Sequence, residues 1–240
     1  MTDVGRFLEA VALHEMEISL DNGLHRHLTF KKPKTFNQHF HLTTWPGYLA
    51  FSGDMGSFVF ARLPDMFSFF RADKVNPDYW SEKLQAADSR GGFEEFSFAF
   101  YRDAIERDFA GWSFETDEQK SESWREIEQT LLDDPDKDIA VRNAIEYSCS
   151  VTKQRFVDFW DHTFTDYTWR FRWCCYAIQW GIAQYDVAKG AQRFAAEVAG
   201  RCLTTKEQKA QGERCGCRGA DDYCPCQNVP NQATRGARSA

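Results

Sequence analysis

No hydrophobic run in the sequence is long enough to cross a bilayer. In its most apolar region, the longest stretch without a charged residue is 173–185, which has 13 residues, whereas a membrane-spanning helix needs about 20. The N-terminus also lacks the basic and then apolar pattern of a secretory signal peptide, because acidic residues begin at Asp3. We therefore expect a cytoplasmic protein with reduced cysteines and no membrane partner.

Recognisable catalytic motifs are missing as well: the sequence has no phosphate-binding loop, nucleophile elbow or catalytic-triad spacing. Basic residues are scarce, since 29 Lys and Arg are outnumbered by 36 Asp and Glu, for a formal net charge of -7. Residues 201–240 hold seven basic and four acidic residues, so the first 200 hold 22 basic and 32 acidic residues. This imbalance argues against nucleic-acid binding by the acidic body. Whether the chain is an enzyme stays open, with a non-catalytic role favoured.

The sequence pattern predicts a sheet first and helices afterwards. A first helix begins at Thr2 or Asp3, and apolar and polar residues then alternate between turn signals such as Asn22-Gly23 and Pro46-Gly47, as in an antiparallel meander. The predicted strands are 16–21, 24–30, 35–43, 48–52 and 57–62. From residue 76 the apolar spacing becomes helical. The predicted helices are 77–88, 93–110, 117–133, 137–149 and 153–161, followed by a long apolar helix near 165–188 that continues to about 199.

The fold class is therefore α+β, with an N-terminal antiparallel β-meander packed against a mostly helical C-terminal half. Residues 1–200 are expected to form a single globular domain. Residues 201–240 contain few large apolar side chains and are expected to be a flexible, basic, cysteine-containing tail, because they bury too little surface to offset the entropy of ordering.

Half of the eight cysteines lie in residues 214–228 of this tail. They form two Cys-x-Cys pairs, Cys215 with Cys217 and Cys224 with Cys226. Four thiolates can hold a structural zinc ion, but paired zinc ligands are more often separated by two to four residues. We therefore expect no resident cofactor and a reduced tail, with a zinc knuckle as the alternative.

Four histidines fall on two neighbouring predicted strands. If a three-residue loop at 32–34 closes the hairpin, His27 faces His39 and His25 faces His41, and all four side chains project from one side of the sheet. Such a cluster can bind a transition metal. The alternative interpretation is an ordinary solvent-exposed sheet face.

Five isolated residues have a structural interpretation beside a functional one. Asp54 lies between two glycines and Trp45 precedes Pro-Gly, so turn chemistry and packing explain them, and binding is the alternative role. Cys174 and Cys175 are expected to be buried. His162 is expected to be a histidine at a helix end that pairs with a carboxylate.

Most of the charge deficit lies in residues 103–138, which hold 13 acidic and four basic residues. Such a segment is usually a solvated helical face. The sharper hypothesis is a surface that imitates the phosphates of DNA or docks on a basic host protein. The candidate binding residues on it are Asp117, Glu118, Glu122 and Glu126.

Four segments of the chain carry a family resemblance: "LHRHLTFKKP", "TTWPGYLAFSGDMGSFVFARLPDMFSFFR", "WRFRWCCYAIQWGIAQYD" and "CGCRGADDYCPCQN". Together they resemble a family of uncharacterised proteins from tailed temperate phages and prophages. The resemblance brings no activity, cofactor or catalytic residue. It implies a phage-encoded accessory protein in the host cytoplasm.

The function that we expect is binding of a host or phage protein, in counter-defence or host takeover. The alternative is a metal-dependent enzyme or a zinc-stabilised nucleic-acid-binding module, built on the four histidines or on the four tail cysteines.

Overall fold

The structure is a computed structural model that describes residues 2–89, 91–133 and 135–210. Its strands are β1 Glu15–Asn22, β2 His25–Lys31, β3 Phe40–Trp45, β4 Tyr48–Gly53, β5 Gly56–Ala61, β6 Leu84–Ala86, β7 Glu94–Phe96 and β8 Thr165–Tyr167. Its α-helices are α1 Asp3–Val11, α2 Met66–Phe70, α3 Pro77–Ser81, α4 Phe98–Ala110, α5 Asp117–Ile127, α6 Ala140–Glu146 and α7 Trp169–Ala210. A π-helix, Glu128–Leu132, continues α5, and a 3-10 helix covers Phe159–Asp161.

Strands β1 to β6 form one antiparallel sheet in chain order, and β7 pairs with β8 in a separate two-stranded sheet. Alternate residues along β2 to β5 face the core because side chains of a strand point to opposite sides in turn. The buried face consists of Leu28, Phe30, Phe40, Leu42, Leu49, Phe51, Phe58 and Phe60. The predicted α+β class, with an N-terminal meander followed by a helical half, is confirmed.

The part of helix α7 up to Ile182 packs on the buried face of the sheet. Trp173 is fully buried, with its ring centroid 5.2 Å from that of Phe7 and 5.6 Å from that of Phe40. Gly181 permits a close approach, because a Cβ atom there would lie 2.9 Å from Cδ1 of Leu42. The inner face is thereby closed by aromatic side chains, which contribute large buried areas.

The helical half has its own hydrophobic core. It is formed by Tyr101, Ala104, Ile105, Phe109, Ile127, Leu131, Ala140, Ala144, Tyr147, Cys149, Phe156 and Phe159. The hydroxyl of Tyr101 donates a hydrogen bond of 3.1 Å to the carbonyl oxygen of Ala140, and burial raises the pKa of Tyr101 to about 12. Because α4, α5 and α6 all contribute to this core, it holds the three helices against one another and leaves the opposite faces of α4 and α5 exposed.

Several predicted helices are wrong in part. The predicted helix 77–88 ends at Ser81, after which β6 pairs with β5, and the predicted helix 93–110 begins with β7. In the predicted helix 153–161 only the 3-10 turn at its end is helical. Three-residue strands give too short a pattern to show a period of two, and β7 pairs with a strand about 70 residues away, so tertiary pairing overrides the local pattern.

By compactness, the chain divides after Ile182 into residues 1–182 and 183–240. The first unit contains both sheets, α1 to α6 and the beginning of α7. In the second unit the described residues continue α7 to Ala210. The predicted domain 1–200 and tail 201–240 stay predictions, and residues 211–240 lie outside the described part.

Candidate functional site

The acidic segment forms an exposed surface on the helical half. Of its acidic side chains, 12 lie among the described residues, and ten of these are exposed. We call these ten residues the acidic surface: Asp103, Glu106, Glu115, Asp117, Glu118, Glu122, Glu128, Asp133, Asp136 and Asp138. Asp117 and Glu118 lie in the first turn of α5, where the helix dipole favours negative charge. They and Glu122 make no ion pair with any side chain that the structure describes.

Glu126 differs from the other three candidates on α5 because it has a structural partner. Its carboxylate accepts hydrogen bonds from the backbone N–H of Ser150 at 2.9 Å and from the Ser150 hydroxyl at 2.5 Å. Burial raises the pKa of Glu126, but the hydrogen bonds with Ser150 outweigh it and hold that pKa below its usual value. Glu126 therefore ties α5 to the loop after α6.

Close to Glu126 lies the buried thiol of Cys149, which the sequence analysis did not single out. The Cys149 thiol donates to the hydroxyl of Ser123 at 3.3 Å. Burial raises the pKa of Cys149, but hydrogen bonding with Ser123 and Thr152 outweighs it and holds the pKa below the usual value. Cys149 is fully buried, so these bonds join α5 to the same loop.

A groove of about 450 Å³ lies between α4 and residues 161–163, where the 3-10 helix ends and the next segment begins. We call it the acidic groove. One wall belongs to α4 and consists of Phe100, Asp103, Ala104 and Arg107, which share a helical face because they recur every three or four residues. The opposite wall consists of Asp161, His162 and Thr163. Charged side chains therefore line both walls of the groove.

His162 is held in this wall by a carboxylate, as predicted. Its Nε2 lies 3.0 and 3.1 Å from the two carboxylate oxygens of Asp108, which comes from α4. The imidazole also lies against the rings of Phe159 and Phe164, with centroids 5.4 and 6.2 Å away. The contact with Asp108 therefore fixes the imidazole and joins the two walls of the acidic groove.

Large apolar side chains are exposed in the same helical half. Phe100 lines the groove and is 41% exposed, while Trp160, which precedes Asp161, is 61% exposed. Phe98 and Val157 are exposed too. Aromatic residues are enriched in protein interfaces and among the residues that contribute most to binding. The helical half thus combines acidic and aromatic side chains on its surface.

The predicted facing of the histidines is wrong, although His27 and His39 each lie close to His41, with ring centroids 5.4 and 5.5 Å from it. Strand β3 begins at Phe40, and the register pairs His27 with Thr43 and His41 with Thr29. The connection between β2 and β3 spans residues 32–39 in two turns, whereas the prediction assumed a three-residue loop. The change in register is even, so His27 and His41 still share a face of the sheet.

On that face the two imidazoles are stacked, with ring centroids 5.4 Å apart. Nδ1 of His27 lies 2.7 Å from the Thr43 hydroxyl, and Nδ1 of His41 lies 2.9 Å from the Thr29 hydroxyl. Burial lowers the pKa of His41, and the neighbouring His27 lowers it further. The neutral form of His41 is therefore favoured, and each of the two imidazoles lies against a threonine hydroxyl.

The two candidates at the sheet turns contact other residues of the sheet. Trp45 is 36% exposed and stacks on Tyr48 across the β3–β4 turn, with ring centroids 5.3 Å apart. The carboxylate of Asp54 accepts a hydrogen bond of 2.9 Å from the backbone N–H of Gln38. The Asp54 N–H donates to the carbonyl oxygen of His39 at 3.0 Å. Asp54 therefore anchors the loop before β3.

The metal predictions fall on different parts of the chain. Among the side chains of residues that the structure describes, no group of three or more His, Cys, Asp and Glu is arranged to hold a metal ion. The zinc candidates Cys215, Cys217, Cys224 and Cys226 lie outside those residues. Cys174 and Cys175 are buried, as predicted, and burial raises the pKa of each thiol.

Comparisons of the chain with protein-family models, with curated proteins and with solved structures found no match. Within the part of the chain that the structure describes, no helix combines the length and apolarity that crossing a membrane requires. The functional argument therefore depends on the surfaces of the molecule.

The acidic groove was missed by sequence reasoning. The spacing of Phe100, Asp103, Ala104 and Arg107 places them on one helical face, and that signal was available. The residues that face them come from about 60 positions later in the chain. Only the fold of the helical core brings His162 to Asp108.

Proposed function

We propose that the chain is a phage or prophage accessory protein that acts by binding a basic surface of a host or phage protein in the host cytoplasm. Its docking side is the helical half. The observation that supports this proposal is the presence of acidic side chains without ion pairs and of exposed aromatic side chains on the surface of the helical half. Counter-defence or host takeover is the purpose that such binding would serve.

Electrostatics favours this side of the molecule. Among the described residues, the acidic surface contains one ion pair with a Lys or Arg side chain, between Glu106 and Arg102 at 3.8 Å. The other carboxylates of the acidic surface are therefore available to attract a positively charged partner. Clustered charge of one sign accelerates association with an oppositely charged partner and weakens with salt.

The exposed aromatic side chains supply the apolar contact area that charged groups alone do not. Solvent-exposed ion pairs are worth only about 0–1 kcal/mol each, so a stable complex needs buried apolar contacts. Phe100 and Trp160 are the kind of side chains that contribute most to interfaces. Steering by the acidic surface and burial of these rings together describe a docking side for a basic partner.

Neutralising three acidic residues of α5 tests the proposal. In the triple variant Asp117→Asn, Glu118→Gln and Glu122→Gln, capture of the partner from infected or prophage-bearing host cells is expected to fall about tenfold at low salt, because steering and charge contacts are lost. Quantitative mass spectrometry of affinity-purified full-length protein measures the captured partner. Wild-type capture is expected to decrease as salt increases.

A matched control separates this surface from net charge. The triple variant Glu9→Gln, Glu15→Gln and Asp73→Asn neutralises three exposed acids on α1, β1 and the loop after α2, and capture is expected to stay at the wild-type level. Equal losses in both triple variants would contradict docking by the helical half. So would a partner whose capture does not depend on salt.

A further inference from the structure

We infer that the acidic groove receives an arginine side chain of the bound partner. The inference rests on the proposed function, because it names the chemical group by which a basic partner is anchored. It assigns a binding site to the residues of the acidic groove. The charge argument alone does not distinguish these residues from other exposed acidic residues.

Carboxylates on opposite walls make the groove a receptor for a cation. Asp103 comes from α4 and Asp161 is the last residue of the 3-10 helix, and both line the groove and are exposed. Neither forms an ion pair with any side chain within the described residues. Their negative charge is therefore available to a cation that enters between the walls.

The groove suits a guanidinium group better than an ammonium group. A guanidinium carries five donors in one plane and can bond to carboxylates on two sides, whereas an ammonium is a compact and strongly hydrated point charge. Phe100 offers an aromatic ring to the same cation, and Ala104 leaves room for an aliphatic stem. A volume of about 450 Å³ is within the ordinary range of ligand pockets.

Arg107 allows a test in which a substitution is expected to strengthen binding of arginine rather than weaken it. It lines the groove one helical turn after Asp103, and its positive charge opposes entry of a second cation. Replacing Arg107 with glutamine is therefore expected to strengthen binding of an arginine ligand, while neutralising Asp103 or Asp161 weakens it.

The experiment uses three capped tripeptides and the full-length, ¹⁵N-labelled protein. The peptides are acetyl-Gly-Arg-Gly-amide, its lysine analogue and its citrulline analogue, which has the shape of arginine without the charge. Backbone amide shifts of residues 103 and 161–163 are followed in two-dimensional spectra at low salt. Saturable shifts are expected with the arginine peptide, and the citrulline peptide is expected to bind about tenfold more weakly.

Variants then locate the binding. Asp103→Asn and Asp161→Asn are each expected to weaken the arginine peptide about fivefold, and Arg107→Gln to strengthen it about threefold. The matched controls are Glu106→Gln and Arg102→Gln, which make the same charge changes on α4 outside the groove and are expected to change the affinity less than twofold. Circular dichroism confirms that each variant is folded.

Three results would overturn the inference: the absence of shifts at residues 161–163, equal binding of the lysine and arginine peptides, or equal effects of Asp103→Asn and Glu106→Gln. Partner capture distinguishes this failure from failure of the proposed function. If the variants at Asp103 and Asp161 capture the partner normally while the α5 triple variant does not, the groove inference alone is wrong. If wild type captures no partner, the proposed function is wrong whatever the peptides show.

Discussion

Replacing Trp173 with alanine is expected to lower the free energy of unfolding by about 3–5 kcal/mol. Trp173 is fully buried and touches Phe7 of α1 and Phe40 of the sheet. Its removal leaves a cavity at the point where three elements meet. Urea unfolding followed by circular dichroism measures the change.

Two variants show whether the loss comes from packing. The indole N–H of Trp173 has no hydrogen-bond acceptor among the described residues, so Trp173→Phe removes an unsatisfied donor while it keeps a ring, and it is expected to cost about half as much. Trp45→Ala removes a partly exposed ring and is expected to cost about 1 kcal/mol or less. A Trp173→Ala loss no larger than that of Trp45→Ala would contradict the packing of α7 on the sheet.

Replacing Asp65 with alanine is expected to destabilise the protein by about 3 kcal/mol, because it breaks an ion pair and a helix cap together. Its carboxylate binds the buried Arg26 guanidinium at 2.8 and 3.3 Å and accepts the backbone N–H of Phe67 at 3.1 Å. Arg26 also lies over the ring of Phe67, at 4.6 Å. Without Asp65, the Arg26 guanidinium would lose both of these hydrogen bonds.

Asp65→Asn separates the two roles, since asparagine is a good N-cap but carries no charge. It is expected to cost less than Asp65→Ala, and the double variant Asp65→Ala with Arg26→Leu is expected to be less destabilised than the sum of the singles. Additive single and double losses in urea unfolding would show that the ion pair contributes nothing.

The contribution of Asp65 also has a defined pH dependence. Burial raises the pKa of Asp65, but hydrogen bonding and the charge of Arg26 outweigh it and hold the pKa below its usual value. A group with a lowered folded-state pKa stabilises above its unfolded pKa and loses that effect as the pH falls through the folded value. The stability difference between wild type and Asp65→Asn is therefore expected to be constant near neutral pH and to shrink below about pH 4.

The sheet could be predicted largely because its signals are local. Alternation from Leu28 to Phe60 and the turns at Asn22-Gly23 and Pro46-Gly47 specify strands and hairpins without reference to the rest of the chain. The register of β2 and β3 could not be predicted, because it depends on how residues 32–39 turn. The hairpin prediction placed His27 and His41 on the same face of the sheet, as observed, but paired each of them with the wrong residue.

The site was less accessible to sequence reasoning. Exposure of Asp117, Glu118 and Glu122 follows from composition and helical period, but the structural role of Glu126 depends on Ser150, which a separate loop supplies. The acidic groove depends on the contact of His162 with Asp108, 54 residues apart in the chain. Contacts of this kind leave no periodic signal in a single sequence.

Docking through the helical half is tested most directly by cross-linking the captured complex. A zero-length carbodiimide reagent joins carboxylates of this chain to lysines of the partner, and mass spectrometry identifies the joined residues. We expect cross-links from carboxylates of the helical half, namely Asp103, Asp117, Glu118, Glu122 and Asp161. Cross-links confined to the carboxylates of α1, β1 and the loop after α2, namely Glu9, Glu15, Glu17 and Asp73, would contradict the account.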